Sequence, residues 1–397
     1  MKSFELMDTL FTRFCKREDQ FEFIEKNYPY PEFKQIRLTA EMMSRLRGDF
    51  KLDTIYEIFK GLIHGKKDLE IVNLLKEYEL NLEIENSLPI QCNINFILHD
   101  DFFITDDYFN LEQLKRFFDK HCIPEQKMYR IKDIDMPESD IHIGTNSKMK
   151  NLNLTNLHAF TFTEILLYDS PILKQIRGFR LKNPYPQTDS EYKIYHDQVC
   201  YDLPILLLFC IQVKSILDKE ERNRVLFCSN GLYVLFSSLF PEIESILFST
   251  SNLIHLHPTS SYKNYVQKVY QDKTTLIVDL CGFFKKDVNT YQSIFGCIPR
   301  VHVLLHDFEF DYSSLTYCIE CLETNQIPKD YIDRLRYDSR GVLFSMVDGL
   351  ELRLHETQTT PSLKHLLFFS QELSCLATFE FDVPLLIRKL IEKGCLN

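Results

Sequence analysis

Residues 3–10 read Ser3-Phe4-Glu5-Leu6-Met7-Asp8-Thr9-Leu10. Phe4 to Met7 predicts a short buried strand running into a loop that carries two acids, Glu5 and Asp8. From there the pattern is helical as far as Pro89. Phe33, Ile36, Arg37, Ala40, Met43 and Leu46 keep a 3.6-residue spacing, Gly48 stops that helix, and Asp53 is placed to cap a helix over 54–63 before Gly65. A third amphipathic segment over 69–82 puts Ile71, Leu74, Leu75 and Tyr78 on one face and ends before Pro89. A helical block directly after an acid-bearing strand predicts a cap, at residues 14–88, that covers the carboxylates and excludes water.

Strand and helix alternation then resumes. Residues 101–105 read as a short apolar strand, and Asn110-Leu111-Glu112-Gln113 is a capping box opening a helix over 111–121 with Leu114, Phe117 and Phe118 inward. Strands follow at 128–131 and 140–143. This alternation predicts the α/β class and a parallel sheet with ligand positions at the strand C-termini, where Glu5, Thr105 and Thr145 fall. The turn-rich run Asn183-Pro184-Tyr185-Pro186 predicts a linker over 181–193 between a first domain, 1–180, and a second, 194–397. The neighbouring Lys174, Arg177, Arg180 and Lys182 read as a phosphate grip or as a solvated linker face. In the second half, 224–228, 245–249, 274–280 and 300–305 are strand-like runs separated by helix-length segments, which predicts a second Rossmann-like α/β domain.

A chain of 397 residues with 45% hydrophobic content is longer than one core usually serves, so two domains are expected. The net charge of −11, a pI near 5.6 and the lack of Lys/Arg runs argue against a nucleic-acid partner, whose binding is built from clustered cations. The first residues carry no signal-peptide apolar region. The longest apolar run, 204–213, contains Gln212 and is about half a membrane span, so a cytoplasmic protein without a membrane partner is expected. Twelve cysteines stand among apolar neighbours, as at Cys210, Cys228 and Cys281, which suits reduced core thiols. Cys318-Ile319-Glu320-Cys321 has no second cysteine pair, and His255/His257 and His302/His306 have no third ligand at metal spacing. They read as core or surface residues ahead of metal or redox sites.

Four stretches carry a family resemblance: Phe4-Glu5-Leu6-Met7-Asp8-Thr9-Leu10; Arg37…Ala40-Glu41 with Leu52-Asp53-Thr54-Ile55-Tyr56; Ile104-Thr105-Asp106-Asp107-Tyr108; and His142-Ile143-Gly144-Thr145-Asn146. In order, they resemble the first motif, helical cap, second motif and fourth motif of the haloacid dehalogenase (HAD) superfamily, over residues 1–150. The resemblance implies a Rossmann-like parallel sheet under a helical cap and Mg²⁺-dependent phosphoryl transfer. It puts Glu5 at the nucleophile position, Asp8 and Thr105 at further catalytic positions, and the Met7 carbonyl where a main-chain oxygen helps bind Mg²⁺. The pattern departs at Glu5, where the family has Asp, and at Thr145, where it has a metal-binding Asp. Lys150 lies near where a further acid is expected, and only Lys127 and Lys132 are near the place of the family's lysine. One extra methylene moves a nucleophile by roughly 1.5 Å, comparable to a misplacement that costs about 100-fold. Losing a hard carboxylate and gaining an ammonium weakens Mg²⁺ binding.

The second half resembles the domain that follows the HAD domain in larger bacterial proteins associated with surface-polysaccharide enzymes. The stretches are Phe227-Cys228-Ser229-Asn230-Gly231-Leu232-Tyr233, Thr250-Ser251-Asn252 and Val278-Asp279-Leu280-Cys281-Gly282-Phe283-Phe284-Lys285. Asn230, Gly231 and Asn252 fill positions where that resemblance implies charged residues, and Phe283-Phe284 fills a small anion-cradling turn.

These readings predict a HAD-like pseudoenzyme that binds a phosphorylated ligand or a protein partner and needs no cofactor. Its expected ligand contacts are Thr9, Thr105 and Asn146 in the first domain and Asp279 and Gly282 in the second. One alternative is a slow Mg²⁺-dependent phosphohydrolase with Glu5 as nucleophile and with Glu5, the Met7 carbonyl and Asp106 or Asp107 around the metal. Another is a second domain that handles a sugar or nucleotide phosphate through Asp279 and Lys285 or Lys286.

Overall fold

Strand β1, Lys2–Glu5, lies in the middle of the first sheet because both of its edges are paired: Phe4 sits beside Phe103 on one side and Ile143 on the other. The computed structural model describes residues 1–28, 30, 32–63, 68–124, 126–130, 137, 139, 141–144, 157–271, 274–281, 285–296, 299–306, 322–323, 331, 335, 337, 342–354, 363–373 and 379–396. The chain divides into two compact units, Met1–Tyr192 and Lys193–Asn397.

In the first unit, β1 is followed by β2 (Phe11–Arg13), helices α1 (Arg17–Asn27), α2 (Phe33–Arg47), α3 (Leu52–Leu62) and α4 (Asp68–Asn86), and then β3 (Ser87–Pro89). β2 and β3 pair antiparallel, Arg13 opposite Ser87, so the helical block enters and leaves through one two-stranded neck. Pro89 sits in a strand that has only one partner, where its missing N–H does no harm. After the short α5 (Gln91–Ile94) come β4 (Phe102–Thr105), α6 (Leu111–His121), β5 (Lys127–Arg130) and β6 (Ile141–Ile143), giving a parallel sheet in the order β5-β4-β1-β6. The capping box at Asn110 and Gln113 forms as expected. Phe117 from α6 stacks on Phe11 with centroids 5.2 Å apart, which fixes the neck on the sheet.

Four local expectations shift. Asp53 lies inside the first turn of α3, one residue in from its start, and pairs there with Lys76 at 3.0 Å. Leu46, expected on the inner stripe of α2, is 80% exposed, whereas Arg37, Glu41 and Ser44 are buried. The block therefore has a polar interior, in which Arg37 reaches Glu79 at 2.7 Å and Glu41 at 3.0 Å. Arg177 and Arg180, on helix α8 (Leu173–Leu181) after α7 (Phe162–Leu166), neither grip a phosphate nor face solvent. Both are buried on Glu164, at 2.9 and 2.6 Å, and Arg177 Nε donates to the Arg13 carbonyl in the neck. Residues 190–193 of the expected linker are helical, within α9 (Ser190–Asp197).

The second unit is built on α10 (Leu203–Lys219), β7 (Arg224–Phe227), α11 (Asn230–Leu239), β8 (Glu244–Leu247), α12 (Asn252–Leu256), α13 (Ser260–Val269), β9 (Thr275–Cys281), α14 (Lys285–Phe295), β10 (Val301–His306) and β11 (Leu322–Glu323). Its sheet is parallel in the order β11-β10-β9-β7-β8. Val225, Leu226 and Phe227 in β7 and Leu276, Ile277 and Val278 in β9 are fully buried, as strands covered on both faces must be. Strands β12 (Val342–Val347) and β13 (Leu350–Leu354) form a separate hairpin. Among the described residues one helix, Ser190–Lys219, is long and apolar enough to cross a membrane, and 78% of its most apolar window is buried inside the protein. Leu206, Leu207, Phe209 and Val213 place it in the core.

Candidate functional site

An α/β sheet binds its ligand beyond the strand C-termini where strand order reverses. In the first unit the chain moves outward from β1 to β4 and β5, then returns to β6 on the other side of β1. Glu5 closes β1 at that reversal. In the loop beyond it, the Leu6 carbonyl accepts from the N–H groups of Leu10 and Phe11 at 2.9 and 3.3 Å. Asp8 takes a left-handed φ of 62°, and its carboxylate accepts from the Thr12 hydroxyl at 2.7 Å. After β4 the buried Thr105 hydroxyl accepts from the Asp107 N–H at 3.0 Å, and Asp107 Oδ1 accepts from the Tyr108 N–H at 2.8 Å. These turns fix Glu5, Met7, Asp8, Thr105, Asp106 and Asp107 around one cavity of about 480 Å³, which Arg13 also lines from the neck.

The helical block supplies the opposite wall: Arg17 from α1, Arg45 from α2, and Phe50 between α2 and α3. Behind them runs a buried ionic network. Glu41 takes Arg17 at 2.8 Å, Arg37 at 3.0 Å and Arg45 at 3.1 Å. Glu79 takes Arg37 and the Tyr56 hydroxyl, and Glu83 takes Arg13 at 2.6 Å and the Tyr108 hydroxyl at 3.0 Å. Glu83 thus ties the block to both the neck and the loop after β4. The Arg17 guanidinium lies over the Tyr108 ring, 4.6 Å from its centroid, and Arg45 over Phe50 at 3.7 Å. Arg17 Nη1 donates to Glu41 Oε1 at 2.9 Å, while its other two nitrogens are buried and make no hydrogen bond among the described residues. Nη2 is close to Glu41 but misaligned, and Nε is 3.9 Å from Glu83 Oε1.

The Glu5 carboxylate leans toward β6. Its Oε1 lies 3.4 Å from His142 Nε2, and the Ser3 hydroxyl holds His142 Nδ1 at 2.9 Å while donating to Ser139. Gly144 makes room for this arrangement: a Cβ there would stand 2.5 Å from Glu5 Cδ and 2.7 Å from Oε2. The longer acid is therefore accommodated by a residue with no side chain on the neighbouring strand end.

The implied Mg²⁺ finds a poor donor set. Glu5 is drawn to His142, Asp8 to Thr12, and among the described residues no three Asp, Glu, His or Cys side chains converge as a metal site. Thr9, an expected ligand contact, is buried outside the cavity lining, its carbonyl accepting from Asn93 at 2.7 Å. Asn146, Thr145, Lys150 and Gly282 lie outside the described residues. Asp279, on β9, is half-buried, and its Oδ1 accepts from the Leu280 N–H at 2.7 Å. Arg17, Arg45 and Phe50 carry the far wall and had no assigned role in the sequence, where they fall in the stretch read only as a helical cap.

Burial pushes the Asp107 carboxyl above the usual carboxylate range, against the pull of Arg13. Asp107 keeps some area open to the cavity but is ringed by protein.

The second unit reverses strand order between β7 and β9. Its crevice is occupied by the chain itself. Asn230 Nδ2 donates to the Tyr337 carbonyl at 3.2 Å, the Tyr337 hydroxyl donates to Asp202 at 2.8 Å, and a Cβ on Gly231 would meet Tyr337 Cδ2 at 3.1 Å and the Leu335 carbonyl at 3.3 Å.

No family model matches this chain, and no curated protein matches it.

Proposed function

We propose that the first unit binds a small phosphorylated molecule in the cavity between its sheet and its helical block, and acts by that binding without phosphoryl transfer to Glu5. The observation that carries this reading is the arginine wall, in which Arg17 and the half-exposed Arg45 line the cavity opposite Thr105. A planar guanidinium matches phosphate oxygens, and in a partly desolvated pocket such bonds are among the stronger ones available. Thr105 adds a hydroxyl whose oxygen already accepts from Asp107, so its proton is directed elsewhere. The placement of Glu5 supports the non-catalytic half: an acid drawn toward His142 and packed over Gly144 is poorly aimed for in-line attack. Strand order, a central first strand and a helical block inserted straight after it are what a HAD-like ancestry would leave, and on this reading the fold persists with its chemistry altered.

The test is calorimetric titration of the full chain with inorganic phosphate, with and without Mg²⁺, beside a phosphoester hydrolysis assay. Binding independent of Mg²⁺, weakened about tenfold in Arg45→Met, with no turnover, is expected. Arg45 is exposed enough that this variant should fold. Mg²⁺-dependent turnover that disappears in Glu5→Gln would replace this reading with a metal-dependent hydrolase.

A further inference from the structure

The two walls of the cavity carry opposite charge. On the helical side Arg17, Arg37 and Arg45 are matched by Glu41, Glu79 and Glu83, but the acids stand behind and only Arg17 and Arg45 line the cavity. On the sheet side Asp106 and Asp107 stand with Glu5 and Asp8, and the one arginine lining that side, Arg13, is already bonded to Glu83. A lone phosphate satisfies the first wall and is repelled by the second.

We propose that the ligand is dipolar: a phosphomonoester that also carries a primary amine, with its phosphate on Arg17 and Arg45 and its ammonium on Asp106 and Asp107. The proposal rests on the binding reading above and specifies its ligand.

Geometry and electrostatics agree on the orientation. The arginine wall presents guanidinium charge suited to phosphate oxygens, with Arg45 the more exposed of the two, while the loop after β4 presents acceptors suited to an ammonium, which has three donors and no acceptor. One Asp107 oxygen is taken by the Tyr108 N–H, and Asp106 is exposed at the cavity edge. A cavity of about 480 Å³ has room for both charged groups and a short carbon linker.

Calorimetry on the full chain with O-phosphoethanolamine, ethyl phosphate and inorganic phosphate tests the idea. Phosphoethanolamine is expected to bind about tenfold tighter than ethyl phosphate, and an Asp106→Asn/Asp107→Asn variant should close that gap while holding or improving ethyl phosphate binding. Asparagine keeps the Oδ1 acceptor for Tyr108, so the loop should stay folded. Equal affinity for the two esters alongside measurable inorganic phosphate binding overturns the dipolar ligand and leaves the parent reading standing. Binding of none of the three overturns both. Ethyl phosphate affinity that rises with Mg²⁺ in wild type but not in the double variant would assign the two acids to a metal and sink the amine.

Discussion

The two units repeat one topological device with opposite results. Each sheet reverses strand order beside a buried strand, at β1 in the first unit and at β7 in the second, and so each generates a crevice at its strand ends. The first crevice is an open cavity with an arginine wall. In the second, Leu335 and Tyr337 are packed against the start of α11, and a carbonyl oxygen already holds Asn230. Strand order supplies a place; whether a ligand enters depends on what the rest of the chain lays over it.

The largest expected effect tests the filled crevice. Tyr337 is 1% exposed and bonded to the buried Asp202, so Tyr337→Ala should cost about 4 kcal/mol in urea unfolding. A loss below about 1 kcal/mol would mean that the segment only rests on α11, and the contrast between the crevices would break.

The same substitution in both crevices sharpens the contrast further. Gly144→Ala should cost about 2 kcal/mol because its Cβ meets Glu5 Cδ at 2.5 Å, and that cost should largely vanish in a Glu5→Ala background. Gly231→Ala faces softer contacts, from 3.1 Å, and gains helix propensity in α11, so its net effect should stay within about 1 kcal/mol. Equal costs would argue that Gly144 serves the backbone and not Glu5.

The smallest effect compares two buried histidines. His142 is bonded to Ser3 and Glu5, whereas both ring nitrogens of His302, in β10, have no hydrogen-bond partner among the described residues and its ring lies against Phe209 with centroids 5.1 Å apart. Burial pushes His302 down to about 4 from an ordinary 6.5. The folded state therefore resists taking a proton that the unfolded chain accepts, and stability falls as pH drops from 6.5 toward 4. His302→Phe should raise stability by about 1 kcal/mol at neutral pH and flatten that acid slope, measured by thermal melts across the window. An unchanged slope would place the acid sensitivity elsewhere.

What could be read from the sequence follows the range of the interactions involved. The strands were legible because a run such as Val225-Leu226-Phe227 has no reading but burial, and α6 because its capping box is local. The interior of the helical block was not. Arg37 falls on the inner stripe of its helix, but its partner Glu79 is 42 residues away and no local pattern marks the pair. Arg177 and Arg180 misled in the same way, their Glu164 lying in a different helix. At the site, Glu5, Asp8, Thr105 and Asp106 were placed by strand ends, which is sequence-local information. Arg17 and Arg45 reach the cavity only because α1 to α4 fold back over it. The β2 and β3 neck was missed because its two strands are too short to show alternation and are separated by the whole block.

That neck sets how the molecule can change over time. Arg13 and Ser87 are opposite one another in an antiparallel pair, so the insertion begins and ends within about 5 Å. Any helical module whose ends meet at that spacing can be spliced into the same seam, and loop closure grows only slowly more costly with the length inserted. Half of the cavity wall is thus supplied by one segment inserted at a single seam, so its length can change without altering the register of the sheet beneath.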